Sequence, residues 1–161
     1  SRTALNMDSA TTLRLADVPN IVGVKEASSD PDQIAYVIKD SPEGFRVWSG
    51  NDNEILSTMA VGGYGIVSVA GNIISGQIQK MMGLLLEGDV EAAAAEHLRL
   101  LPIFNALFYI TNPIPIRYAM NRSGFSVGPA RLPMVPEPSE LAAFSARFDP
   151  IMDQYAIDLA D

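Results

Sequence analysis

Lys25 is the residue with the most evident chemistry. It ends the apolar run of "IVGVKEASSD" (Ile21–Asp30) and is followed by Glu26 and a small polar cluster. An amine held at the end of a buried strand loses hydration, so its charged form is disfavoured and its pKa falls. A neutral lysine adds to a carbonyl carbon and forms a Schiff base, whose protonated imine acidifies the neighbouring carbon. The alternative is a lysine that snorkels to solvent and pairs with Glu26 or Asp30. Residue types alone leave both readings open. Two other segments share the pattern of an apolar run closing in small polar residues: Ser49–Asp52 ("SGND") and Val67–Asn72 ("VSVAGN"). Brought together, the three ends make a pocket with one amine, space beside it, and hydroxyl and amide groups to orient a ligand.

Composition narrows the chemistry further. The 161 residues carry 19 acidic against 11 basic side chains, a net charge of −8. Such a chain repels phosphate backbones and anionic surfaces, which argues against nucleic acid as a partner. Without cysteine there are no disulfides and no thiolate metal sites. His97 is the single histidine, so a histidine metal centre is not expected. No apolar run is long enough to span a bilayer, and "SRTALNMD" lacks a basic-then-apolar leader pattern, so the cytoplasm is the default location. "GGYG" (62–65) lacks the Lys-Ser/Thr of a phosphate loop and reads as helix capping. Asp149, Asp153 and Asp158 read as a solvated helix face.

These residues need elements to position them. Asp8 predicts a helix cap, with a helix running to about Asp17. Ile21–Lys25, Phe45–Ser49 and the run from Tyr64 predict strands. Helices are expected from Pro31, over Asn53–Gly62, from Ser75, over Val90–Ile110 with a bend at Pro102, from Pro113, and over Ser139–Leu159. The first part therefore reads α, β, α, β, α, β, α and the rest is helical. Alternating strands and helices argue for an α/β fold with a parallel sheet. Strands this apolar are expected to be covered on both faces. The units look like consecutive pieces of a (β/α)8 barrel, which needs eight strands and roughly 250 residues. Ligands of such folds meet the C-terminal ends of the strands.

The motifs "GVKEASSD", "SGND", "GGYGIVSVAGN" and "NPIPIRYAM", in that order, resemble the dihydrodipicolinate synthase / N-acetylneuraminate lyase family of pyruvate-dependent aldolases. The resemblance covers essentially the whole chain but only about the C-terminal half of the family's length. It implies an α/β fold: the last three β/α units of a TIM barrel over residues 1–90, with a C-terminal helical extension over 91–161 packed on it. "KEA" at Lys25–Ala27, and Ser1–Arg2–Thr3 as the end of an "NxPxRT" loop, are similar to the dihydrodipicolinate synthase branch. The resemblance implies that Lys25 forms the imine and that Arg2 binds the carboxylate of the aldehyde substrate. It places the backbone carbonyl of Val67 in the pocket, and Gly50, Asn51 and Asp52 beside the second substrate. Asn51 departs from the acidic residue common at its position.

The implied reaction condenses pyruvate with L-aspartate 4-semialdehyde, with no metal or organic cofactor. The family's proton relay and pyruvate clamp correspond to residues upstream of Ser1. Tyr36, Tyr64, Tyr109, Tyr118 and Tyr155 do not match the relay positions and are not carried over. Loss of a proton relay typically costs about 10²–10⁴ in rate. The isolated chain is therefore expected to be inactive or nearly so. A homo-oligomer, or pairing with an N-terminal half-barrel, is the expected assembly. Two alternatives stand beside this reading. One is another aldolase of the family, acting on 2-keto-3-deoxy acids or sialate. The other is a non-catalytic half-barrel that serves as an assembly partner.

Overall fold

The computed structural model describes residues 4–155. Arg2 and Asp158 lie outside the described residues. By compactness the chain divides between Ser68 and Val69.

The first unit holds α1 (Ser9–Ala16), β1 (Gly23–Glu26), α2 (Pro31–Asp40), β2 (Arg46–Ser49), a 3-10 turn (Asp52–Glu54), α3 (Ile55–Ala60) and β3 (Gly65–Ile66). The starts of α1 and α2 each have a side-chain cap. The Asp8 carboxylate accepts the Thr11 amide at 2.7 Å, satisfying a donor left open in the first turn. Hydrogen bonds from Thr11 hold that carboxyl below its ordinary range. Asp30 accepts from the amides of Asp32 and Gln33 while Pro31 pre-sets the first turn of α2. At the other end of α3, Gly62 takes φ +103°, which a side chain would resist. The amide of Gly63 returns to the Thr58 carbonyl at 2.8 Å. The Gly62–Gly63 pair thus closes that helix as its sequence predicts.

The three strands pair in the order β1-β2-β3, all parallel. Lys25 is in register with Trp48, and Trp48 with Gly65. The expectation of strands covered on both faces is corrected here. Side chains alternate along a strand, and one face carries buried Glu26, Val47 and Ser49, with α2 and α3 packed on β2. The other face carries exposed Lys25 and Arg46 and half-buried Trp48. There the Arg46 guanidinium lies 5.0 Å from the Tyr64 ring centre, and Tyr64 meets Trp48 edge-on at 5.4 Å. Gly23 belongs to this face. A Cβ there would fall 2.3 Å from the Trp48 ring and from the Arg46 carbonyl oxygen, so only glycine fits.

The second unit is helical: α4 (Gly71–Leu86), α5 (Val90–Ala106), α6 (Ile114–Arg122) and α7 (Pro138–Met152). The helix expected from Ser75 starts earlier, because a turn at Gly71–Ile73 is joined to it across a break at Ile74 (φ −136°, ψ 36°). α5 tolerates Pro102 internally and ends at Ala106, short of the expected Ile110. Its core includes Met81, Leu100, Ile103, Phe104, Phe144 and Phe148, all essentially without exposed surface. Phe144 stacks on Phe148 with ring centres 4.9 Å apart, and Tyr118 meets Phe144 edge-on at 5.4 Å. The reading of Asp149 and Asp153 as a purely solvated face is also corrected. Asp149 accepts from the Tyr118 hydroxyl at 3.0 Å, and Arg122 pairs with Asp149 at 3.3 Å and with Asp153 at 2.6 Å. Burial, together with the Asp149 carboxylate, raises the Tyr118 phenol above its ordinary pKa. A helix face facing a second helix finds partners that its own sequence cannot reveal.

Candidate active site

Pairing of three short parallel strands brings their C-terminal ends side by side, because adjacent strands run in the same direction. The Gly50 amide donates to the Glu26 carbonyl at 2.6 Å, and the Val67 amide to the Ser49 carbonyl at 2.9 Å. These two bonds continue the ladder one residue past each strand and gather Lys25, Gly50 and Val67 at one edge of the sheet.

Gly50 sits against the lysine. A Cβ there would lie 3.0 Å from Lys25 Cε, 3.0 Å from the Glu26 carbonyl oxygen and 2.6 Å from the Ala27 Cβ. Glycine at this position is thus a condition for the Lys25 stem to lie where it does. The amine itself is exposed, and this corrects the expectation of a desolvated lysine. Strand alternation sends Lys25 to the face that α2 and α3 do not cover, and its neighbours there are glycines and one tryptophan.

The polar residues of the β2 loop are committed to the loop. The Ser49 hydroxyl accepts the Asn51 amide at 3.2 Å and donates to the Asn51 carbonyl at 2.9 Å. The Asn51 side-chain amide donates to the Ser29 hydroxyl at 3.1 Å and to Glu54 at 2.9 Å, joining the β1 and β2 loops. Asp52 is 2 % exposed and accepts from the Ser68 hydroxyl. It ties the β2 and β3 ends together from beneath. Val67 is 46 % exposed at the end of β3. The structure thus brings Lys25, Gly50, Asn51, Asp52 and Val67 to one end of the sheet, with Asp52 inside the loop framework and not on its open side.

Two further residues are built into the same end: Glu26, read from sequence only as an ion-pair partner of a solvated Lys25, and Ser29, which had no role in that reading. Glu26 is 5 % exposed, and its carboxylate accepts from the Ser28 amide at 2.7 Å and from the Gln33 side chain at 3.1 Å. Ser29 adopts φ +60°, an uncommon conformation for a side-chain-bearing residue, between Glu26 and the α2 cap at Asp30. The signal in the sequence was the "KEASSD" order itself. An acid following the lysine, with a turn of small residues behind it, can fold back onto the turn's own amides. Beside the β1 and β2 loops a cavity of about 180 Å³ opens, lined by Ser29, Glu54 and Ser57 together with Pro31, Ile34, Thr58 and Val61. Lys25 is not among its lining residues. Among the described residues, no group of three or more His, Asp or Glu side chains is arranged to hold a metal ion. No helix of the described residues is long and apolar enough to cross a membrane.

The sequence pattern of the Dihydrodipicolinate synthetase family matches residues 1–145. The chain belongs to this family. It is similar to the 4-hydroxy-tetrahydrodipicolinate synthase of Symbiobacterium thermophilum, with 53 % identity over 136 residues, covering 84 % of this chain and 46 % of that protein. The protein of the same name from Dehalococcoides mccartyi is 45 % identical over 159 residues, covering 99 % of this chain and 52 % of the relative. The solved structure of dihydrodipicolinate synthase from Aquifex aeolicus superposes with a TM-score of 0.89 at 31 % identity, over 99 % of this chain and 54 % of that one. The chain spans about half the length of the curated relatives it matches. The fold class is accordingly α/β, a parallel-sheet portion of a (β/α)8 barrel followed by helices, as the motif order implied.

Proposed function

We propose that this chain supplies the imine-forming half of a 4-hydroxy-tetrahydrodipicolinate synthase-like lyase. The observation that carries the reading is Lys25 at the end of β1, with Gly50 leaving room at its Cε, in a chain of this family. In the proposed reaction the Lys25 amine adds to the keto carbon of pyruvate and water leaves, forming the imine. Loss of a methyl proton gives the enamine. Its carbon attacks the aldehyde carbon of L-aspartate 4-semialdehyde, forming the new C–C bond, and the aldehyde oxygen takes up a proton. The substrate's amino group then displaces Lys25 by transimination, closing the ring and freeing the amine. Arg2 is assigned to the aldehyde's carboxylate and the Val67 carbonyl to the pocket wall. Gly50 and Asn51 border the second substrate, and Asp52 supports them from below. Residues 1–90 are read as barrel and 91–161 as extension, and the cytoplasm as the place of action.

Exposure of Lys25 supports a site completed by further structure. The partner proposed is an N-terminal half-barrel that would bury the open face carrying Lys25, Trp48 and Tyr64. The test is condensation of pyruvate with L-aspartate 4-semialdehyde, measured on this chain alone and mixed with an upstream half taken from a relative. Activity is expected only in the mixture, and Arg2→Ala should remove it. Full activity of the isolated chain would contradict the half-site assignment. Activity that survives Arg2→Ala would favour a family aldolase acting on 2-keto-3-deoxy acids or sialate.

A further inference from the structure

Gln33 is the third residue of α2 and is buried at 9 % exposure, an unusual place for a glutamine in a helix otherwise inward-facing through Ile34 and Val37. Its side chain has two donor hydrogens and one carbonyl oxygen, and all are used. The Nε2 group donates to the Glu26 carboxylate at 3.1 Å and to the Met7 carbonyl at 3.1 Å. The Oε1 atom accepts from the Asn6 side-chain amide at 2.7 Å. The orientation of the amide is dictated by its surroundings, since two acceptors face one end and a donor faces the other. The remaining Glu26 oxygen takes the Ser28 amide, so this buried carboxylate is satisfied on both sides. Three separate pieces of chain therefore meet at one side chain: the end of β1, the first turn of α2, and the segment before α1.

The end of β1 is held by its ladder to β2, and the first turn of α2 by the Asp30 cap. The segment at 4–7 has no such support. Asn6 and Met7 are exposed, and no backbone hydrogen bond from their amides into a helix or strand is present. Their ties to Gln33 are part-buried and meet at a side chain that is itself only 9 % exposed, where a lost partner leaves a polar group unmet. We infer that Gln33 is a positioning residue that fixes the 4–7 segment against the strand end carrying Lys25. The link to catalysis rests on the function proposed above, in which Lys25 carries the imine and Arg2, which precedes this segment in the sequence, is assigned to the aldehyde's carboxylate. The mechanical link stands on the hydrogen bonds alone.

The test is backbone 15N relaxation on this chain. In the wild type the amides of Asn6 and Met7 should show order parameters near those of rigid backbone, about 0.85, and Gln33→Leu should lower them below about 0.6. The Gly50 amide, bonded to Glu26 on the far side of β1, should keep its order and mark an intact sheet. Should Gln33→Leu unfold the chain, Asn6→Ala removes one arm of the network from an exposed position and must still lower the order at Met7. Gln33→Glu sets two carboxylates against each other and should loosen the segment as strongly as Gln33→Leu. The exchange Glu26→Gln with Gln33→Glu restores the bond between the two side chains and keeps an acceptor for the Asn6 side-chain amide, but it sets a carboxylate against the Met7 carbonyl, so it should recover order at Asn6 and not at Met7. A residue that merely fills space would not show that split. Unchanged order at Asn6 and Met7 in both Gln33→Leu and Asn6→Ala overturns the inference, as does failure of the exchange to restore order at Asn6. Borohydride trapping of pyruvate on the same variants separates the two claims. Absence of a Lys25 adduct in every sample counts against the proposed function and leaves the relaxation result to decide the role of Gln33.

Discussion

The two units keep their polar groups in opposite ways. In the first, buried polar side chains cluster at one end of the sheet and bond within the loops: Glu26 to the Ser28 amide, Ser49 to the Asn51 amide, and Asp52 to the Ser68 hydroxyl. One sheet face, with Lys25, Arg46 and Tyr64, remains open. In the second, aromatic and aliphatic side chains close on one another, and the ion pairs of Arg122 lie at the margin of α6 and α7. Ordering several loops around a polar end costs conformational entropy that a closed apolar core recovers through burial. The comparison teaches that the chain places stability in its helices and shape in its strand ends.

The largest effect should come from the closed core. Phe148 is fully buried between Phe144 and Tyr118, and Phe148→Ala should cost roughly 3–5 kcal/mol. Urea denaturation followed by helical circular dichroism reads this directly. A loss below about 1 kcal/mol would mean that the second unit is not organised around its aromatic cluster. Next, Gly50→Ala should cost about 1–3 kcal/mol through overpacking, since its methyl group meets Ala27 and the Lys25 stem. It should also displace the amine, lowering pyruvate trapping by more than the loss of fold accounts for. If Gly50→Ala trapped pyruvate as well as the parent, the shape argument for the strand ends would fail.

A smaller effect concerns pH. His97 lies half-buried beside Phe104, ring centres 6.0 Å apart, and burial pushes its imidazole below its ordinary pKa. The unfolded chain takes up this proton near pH 6.5, whereas the folded chain takes it up only at lower pH. Between the two the unfolded state binds more protons, so stability is full above about pH 6.5 and falls as the pH drops below it. Melting curves at descending pH should show the fall, and His97→Gln should flatten it. Equal slopes in the two proteins would place the titrating group elsewhere.

Much of the frame was legible before any coordinates. Asp8 caps its helix as expected, and the Gly62–Gly63 stop stands where the residues put it. The order of strands and helices follows from apolar runs alternating with capped helices. What stayed hidden depends on what lies across from a residue. Lys25 sits at the predicted strand end, yet its exposure depends on whether another element covers that face. Asp149 and Asp153 looked solvated because Arg122 and Tyr118 are some thirty positions away in the chain. Gln33 gave no periodic signal, because a polar residue on a buried helix face is legible only once its three partners are assembled. The break at Ile74 likewise has no glycine or proline at its own position to announce it.

The central claim is that Lys25 is the imine-forming amine. The most direct measurement is borohydride reduction in the presence of pyruvate, read by intact mass and peptide mapping, on the chain alone and mixed with an upstream half-barrel. The chain offers three lysines, Lys25, Lys39 and Lys80, so the site is unambiguous by peptide. The account predicts one reduced pyruvyl adduct, on Lys25, formed in the mixture and abolished by Lys25→Arg. No adduct in the mixture, or one on Lys39 or Lys80 in its place, would contradict it.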